Sequence, residues 1–503
     1  MKIKFLSIAL LIASVLAAQS FDSTAWKYAQ SIQAKDLSKH LHVLASDEYE
    51  GRATGKKGQK MAMEYLIDQF KRFDIKDFDE RAYKQSFDLI EQRNEGISIT
   101  FNENTYELNR DFLFSPSIAD KVNKEIEVVF VGYGIADSAF NSYENVEVKD
   151  KLVFFLNRDP KEVELKENWT LKKRLDYLKE NGAIGALYED SNVKILLEKY
   201  EHYFKKAKMK LAASQNNQFY TIRMDSKMTE ELLSVGKLKN KKIKKKGIRQ
   251  KDYFTTSLSL NIDKPTDKLT GENVLAYIPG TTKKDQLIVL TAHYDHLGKE
   301  DSVVYNGADD DGTGTSTLIE LAEAFQQAVK EGNGPKRSIL IMPVSGEEKG
   351  LLGSRHYTDN PVFPLENTVA NLNIDMIGRY DEAHKEDSNY VYLIGADKLS
   401  QDLHDLSEKV NSTYMNFNLD YTFNAEDDPN RFYYRSDHYN FAKNNVPVIF
   451  YFSGVHEDYH KATDTVEKID FEKTERIAKL VFLTAWHLAN AEERIELNDE
   501  VEK

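Results

Sequence analysis

Five short stretches of this chain end apolar runs with residues that bind hard or borderline metal ions. "TAHYDHLG" offers His293 and Asp295, "NGADDDGTG" offers Asp309, Asp310 and Asp311, and "GEEKG" offers Glu347 and Glu348; "NIDMIGR" adds Asp375 and "DYHKATDT" adds His460. Imidazole and carboxylate without sulfur suit zinc, and cobalt or manganese by the same softness argument. Taken singly, a histidine after a strand is a polar edge residue and "DDDG" is a turn. Their recurrence at the carboxyl ends of expected strands is another matter, because that much like charge on one sheet edge needs cations to hold it. In "HYDH", residues two apart on an extended strand face one side, so Asp295 can bond the ring nitrogen of His293 that does not touch metal. By the same rule His296 faces away and reads as structural.

To bring these groups together the chain needs strands whose ends line up. From Asn273 onward strands and helices alternate: "NVLAYI", "QLIVLTA", a helix with Leu318, Leu321, Ala322 and Phe325 on one stripe, "SILIMPV", "VANLNID", "YVYLIG", a helix near Asp397 to Val410, "VPVIFYF" and a closing helix Phe471 to Asn490. This alternation predicts an α/β three-layer sandwich around a largely parallel sheet, with ligand sites at the carboxyl ends of its strands. Upstream, Ser23 to Ala45 reads as helical, "EGRATGKKGQ" as a loop, and the next helix carries Ala62, Tyr65, Leu66, Phe70 and Phe73 on one face. The middle of the chain has short β-like runs, "EIEVVFVGYGI" and "DKLVFFLN", and reads as a smaller β-rich insert. The lysine-rich stretch "KLKNKKIKKKG", Lys237 to Gly247, reads as a solvated loop. Pro343 removes a ladder donor from the strand before Glu347, which predicts a local irregularity there.

The chain has 503 residues, 68 basic against 82 acidic, a formal charge of −14. No phosphate-neutralising surplus exists, which argues against a nucleic-acid binder. "MKIKFLSIALLIASVLAAQS" has a basic start, an apolar stretch from Phe5 to Ala18 and small residues at its close. That is the layout of a cleaved signal peptide, too short in its apolar part for a membrane anchor, and it predicts a periplasmic or secreted protein. Cysteine is absent, so disulfides, thiolate metal sites and a cysteine nucleophile are excluded. The expected organisation is a signal peptide at 1–18, a catalytic domain in two parts at 19–111 and 258–503, and the insert at 112–257.

The set "HYD", "GADDDGTG", "GEEKGLLGS", "NIDMIG", "SDH" and "YHKATDT", in this order, resembles the co-catalytic zinc aminopeptidases, a family that also contains glutamate carboxypeptidases, glutaminyl cyclases and the transferrin receptors. "EGRATGKKG" matches the approach to that family's first long helix, and "VGYGI" with "NVEVKDKLVFFLNRDP" resembles the protease-associated domain many members insert. The resemblance implies two zinc ions, one held by His293 and Asp375, the other by Glu348 and His460, with Asp310 bridging both. It implies Asp295 as the partner of His293, Glu347 as general base, a cis peptide after Asp310, and Tyr433 as a group that steadies the intermediate. It further implies that Glu348 has its charge neutralised by metal while Glu347 moves the proton of a water between the ions.

On this reading the protein removes N-terminal residues from peptide substrates. A carboxypeptidase is the near alternative and needs arginines for a terminal carboxylate, for which Arg431 and Arg435 are placed. Glutaminyl cyclisation fits less well with an inserted domain, and a catalytically dead binding module predicts lost ligands, whereas all five are present with the base.

Overall fold

The computed structural model describes residues 21–116, 118–161, 163–201, 204, 206–213 and 219–499, so the apolar leader expected over 1–18 lies outside the described residues. The chain divides into two compact units, Met1–Phe87 with Gly271–Lys503, and Asp88–Thr270.

The first unit is built on a seven-stranded sheet. Its strands are β1 (Ala276–Ile278), β2 (Lys283–His293), β3 (Arg337–Val344), β4 (Thr368–Ile374), β5 (Tyr390–Ile394), β6 (Asn418–Asp420) and β7 (Val448–Phe452), in the spatial order β1-β3-β2-β4-β7-β5-β6. The central four, β3-β2-β4-β7, are mutually parallel, while β1 and β5 run antiparallel to β3 and β7. Alternation along the strands sends side chains to two different cores. Ile288, Leu290, Ala292, Ile339 and Ile341 pack with Leu318, Phe325 and Phe482 from the helices Gly314–Lys330 and Phe471–Asn490. Leu287, Val289, Leu340, Met342 and Val344 pack with Tyr357 and Phe441 from Leu352–Asp359 and His438–Ala442. Helices therefore cover both faces, which makes the expected three layers.

Three local expectations change. The helix expected over Ser23 to Ala45 is two, Ser23–Ala29 and Ala34–Leu44, broken where Ser31 turns its hydroxyl back onto the Tyr28 carbonyl. Pro343 disturbs nothing: the register runs unbroken through Ala292–Pro343 to His293–Val344, and β1 on the other side of β3 reaches only Ile341. The lysine-rich stretch contains a short helix, Asn240–Lys246, seated by Ile243.

The second unit holds an eight-stranded mixed sheet, with Val122–Phe130, Leu152–Phe155, Gly185–Glu189 and Tyr220–Met224 forming its parallel part. Its core gathers Val128, Phe130, Phe154, Leu187, Ile222 and Leu260. Among the described residues no helix is long and apolar enough to cross a membrane.

Candidate metal centre

Four adjacent parallel strands deliver the chemistry. His293 ends β2, Glu347 and Glu348 follow β3 after a Ser345–Gly346 turn, Asp375 follows β4, and the loop after β7 carries His460. Asp310 comes from the turn between β2 and the helix Gly314–Lys330, and the Asp310–Asp311 peptide is cis.

That turn sorts three identical side chains by their contacts. Asp309 accepts from the Gly378 amide at 2.7 Å and the Thr313 hydroxyl at 3.0 Å. Asp311 accepts from the amides of Gly314, Met376 and His293 at 2.9, 3.2 and 3.2 Å, tying the helix start to the ends of β2 and β4. Asp464 in turn accepts from the amides of Asp309 and Asp310. Asp310 faces the two imidazoles His293 and His460, with Oδ1 at 3.2 Å from His293 Nε2 and Oδ2 at 3.1 Å from His460 Nε2. The turn is sutured from below by Arg52, fully buried, whose guanidinium donates to the carbonyls of Leu44, Asn306, Gly307 and Tyr294 at 2.6, 2.7, 2.9 and 2.9 Å. Gly51 beside it, at φ +63°, is obligatory: a Cβ there would sit 2.3 Å from the Gly298 carbonyl oxygen.

Two donor groups result. His293 Nε2 lies 3.2 Å from Asp310 and 3.7 Å from Asp375 Oδ1. In the other, His460 Nε2 lies 3.1 Å from Asp310 and 3.3 Å from Glu348 Oε2. His296, expected to face away, also enters this second group, fully buried, with Nδ1 at 2.8 Å from Glu348 Oε1. The alternation rule applied to it holds only along a strand, and β2 ends at His293. Asp295 lies beyond that end too. Its carbonyl oxygen, 3.0 Å away, is the nearer acceptor for His293 Nδ1, while its carboxylate at 4.0 Å receives the Thr54 hydroxyl at 2.5 Å and the Glu347 amide at 3.2 Å. Ser436 of "SDH" donates to Asp375 Oδ2 at 2.8 Å, whereas Asp437 bonds Ser354 and His438 stacks on Phe450 behind the site.

These residues fit a cation pair. A carbonyl can only accept, so His293 Nδ1 carries the proton, and a neutral ring would turn its Nε2 lone pair onto the Asp310 and Asp375 oxygens. Either a second ring proton on Nε2 or a metal cation satisfies these groups at 3.2 Å, and a divalent ion would take that proton's place. The titration directions agree. Burial by itself disfavours charge, yet the carboxylates Asp375, Glu347 and Asp310 drive His293 well above the ordinary histidine range. Burial likewise opposes ionisation of Asp310, and the imidazoles of His293, His296 and His460 outweigh it and hold that carboxyl well below normal. Glu347 goes the other way: burial, with Glu348 and Asp375 nearby, pushes it well above the usual carboxylate range.

A pocket opens on this centre, lined by Asp310, Glu347 and Asp375, by Arg435 and Ser436, and by Met376, Phe432, Phe450, Phe452, Val455 and Tyr459. Tyr433 packs outside this lining, with Lys398 Nζ 5.1 Å from its ring centroid. Tyr459 lines the pocket instead, its ring stacked on His460 at 3.9 Å between centroids. Its position next to a candidate ligand in "DYHKA" was the available signal. The loop bearing it is braced by His456, whose Nδ1 accepts from the Asp458 amide at 3.2 Å and whose Nε2 lies 3.3 Å from Asp309 Oδ2.

Comparison with known proteins accords with this geometry. The model of Peptidase family M28 matches residues 273–485, the segment that carries the site. A probable zinc metalloprotease of Pyrenophora teres f. teres is 29% identical over 265 residues, 44% of this chain and 52% of its own length. A probable leucine aminopeptidase of Trichophyton verrucosum is 26% identical over 318 residues, 61% of this chain and 79% of its own. The chain thus spans about half the length of the first of these curated relatives. In fold, an aminopeptidase from Aneurinibacillus sp. strain AM-1 superposes with a TM-score of 0.53 at 16% identity, covering 93% of this chain and 97% of that one.

Proposed function

We propose that the protein is an exported zinc-dependent exopeptidase that hydrolyses N-terminal residues from peptides. The observation that carries this reading is the facing of His293 and His460 onto one shared carboxylate, Asp310, which lines a pocket that also holds Phe432, Phe450 and Phe452. His293 and Asp375 would hold one ion, Glu348 and His460 the other, and Asp310 both, with His296 supporting Glu348 from beneath. A bound pair of divalent ions supplies Lewis-acid polarisation of the scissile carbonyl and acidifies the attacking water.

The chain's own groups do the rest. Glu347 would take the water's proton and return it to the departing amine, acting first as base and then as acid. The Asp295 carboxylate accepts the Glu347 amide and so fixes where that glutamate sits. Burial holds the Tyr459 hydroxyl protonated, available to donate toward oxygen charge that develops in the pocket. Phe432, Phe450 and Phe452 suit an aliphatic or aromatic terminal side chain, and the carboxylates beside them suit its α-ammonium group. The Asp88–Thr270 unit, which interrupts the catalytic unit in sequence, is read as the protease-associated-like insert, and export rests on the leader of residues 1–18.

The test is to offer the purified protein leucine nitroanilide, free peptides and N-acetylated peptides, with and without chelator, and to measure zinc by elemental analysis. Release of N-terminal residues that chelator abolishes and zinc restores is the expected result. Cleavage of acetylated peptides from their C-termini would replace this reading with a carboxypeptidase using Arg435. Activity indifferent to chelator would remove the metal from it.

A further inference from the structure

Past Glu347 the pocket continues into a second concavity, lined by Glu347, Arg355, Tyr434, Arg435, Tyr439 and Lys443 with their neighbours. Glu347 and Arg435 belong to both, whereas Asp310 and Asp375 line the pocket alone. The electrostatic character therefore reverses along the path. The pocket end presents carboxylates, and the concavity presents three cations against Glu347 and Asp359.

Of those cations, Arg355 has a local partner, its Nε lying 3.5 Å from Asp359 Oδ2. Arg435 and Lys443 form no ion pair among the described residues. Arg435 is nevertheless held in place: its Nη2 donates to the Tyr459 hydroxyl oxygen at 3.3 Å, and its guanidinium stands 4.8 Å from the centre of the Phe432 ring. A guanidinium ordered by an aromatic face and a phenol, with its remaining donors free, is preorganised for a carboxylate.

We propose that this concavity holds the part of the substrate beyond the scissile bond, and that Arg435 and Lys443 select a carboxylate there. The inference rests on the exopeptidase reading above. With the α-ammonium group at the carboxylate end and the departing amine protonated by Glu347, the departing fragment lies on the far side of Glu347. Two sources supply such a carboxylate: the C-terminus of a di- or tripeptide, or an acidic side chain just after the scissile bond.

The experiment compares kcat/KM for Leu-Gly-Gly as free acid, Leu-Gly-Gly amide and Leu-Asp-Gly amide in the wild type and in an Arg435→Gln, Lys443→Gln double variant. In the wild type the free acid, the aspartyl amide or both are expected to exceed the neutral amide by roughly tenfold, the worth of a modest charge-assisted contact. Preference for the acid alone identifies the terminal carboxylate, and preference for the aspartyl amide alone the side chain. In the double variant the ratios should fall toward one, and since each ratio is internal, a general loss of activity leaves it readable. If the variant does not fold, the wild-type ratio should shrink as salt rises. Equal rates in the wild type, or ratios preserved in the double variant, overturn the inference while leucine nitroanilide turnover keeps the parent reading intact. No hydrolysis of any of these substrates overturns both.

Discussion

Arg52 is the sharpest place to test whether the site is held as described. It is a fully buried cation with no carboxylate in hydrogen-bond contact among the described residues, and it spends its donors on four backbone carbonyls from three segments of chain. Burial lowers its affinity for the proton, while Asp295, Asp310 and Asp464 raise it, so its charge also faces the carboxylate cluster. Arg52→Met removes every donor at nearly constant volume. Four stranded carbonyls at about 1–3 kcal/mol each give a gross loss of roughly 4–12 kcal/mol. Against this stands relief of the guanidinium's desolvation, several kcal/mol for a buried ion. The net expectation is a loss of about 4 kcal/mol, a large share of the roughly 5–15 kcal/mol that keeps a protein folded.

Arg52→Lys keeps the charge but offers at most three donors on a shorter reach, and its loss should be about half as large. The assay is urea denaturation of each variant in chelator, so that bound ions do not mask the difference, with the slope checked for constancy. A loss below about 1 kcal/mol for Arg52→Met would mean that water or local rearrangement satisfies those carbonyls, and the suture would not exist.

Three further outcomes follow from other parts of the molecule. Glu347→Gln should lower kcat by roughly 10²–10⁴ while leaving zinc content unchanged, and wild-type turnover in that variant would remove Glu347 as the base. His456→Leu frees the loop that carries His460 from Asp309, and should weaken binding of the second ion by roughly 10–100-fold without emptying the His293–Asp375 group, as read by zinc stoichiometry after graded dialysis. In the second unit, burial lowers Lys264 from 10.5 to about 8 although Asn94 accepts from its ammonium at 3.1 Å. Between those two values the unfolded chain binds the proton and the folded chain does not, so stability rises with pH across that window. Relative to Lys264→Met, the wild type should gain roughly 2–3 kcal/mol from pH 8 to pH 10.5, and parallel pH profiles for the two would contradict the assignment.

What could be read in advance was what short-range patterns encode. The helix Phe471–Asn490 coincides with its expected bounds because its apolar face is long and an aspartate, Asp470, caps its start by accepting from the Lys473 amide at 2.9 Å. The strands β2, β3, β4 and β7 were legible as apolar runs ending in polar groups. His296 was not, because the alternation that placed it presumes a strand that has already ended. Tyr433 and Tyr459 could not be ranked from spacing alone, since "FYYRSDH" and "DYHKA" both put a tyrosine near a histidine. Which ring reaches the pocket depends on how two segments, the turn Phe432–Tyr434 and the loop after β7, return to the sheet edge.

The same limit explains the aspartate triplet. Asp309, Asp310 and Asp311 are chemically identical and contiguous, and no local rule distinguishes a brace from a ligand among them. The distinction is made by partners far away in sequence: Gly378 and Thr313 occupy Asp309, Gly314, Met376 and His293 occupy Asp311, and Asp464 takes the two amides of Asp309 and Asp310. Asp310 alone keeps both oxygens toward the two histidines, one on each side. Its freedom from backbone donors among the described residues is what leaves both oxygens available to a cation. Removing either brace should therefore damage the centre through Asp310's geometry while leaving its own side chain untouched.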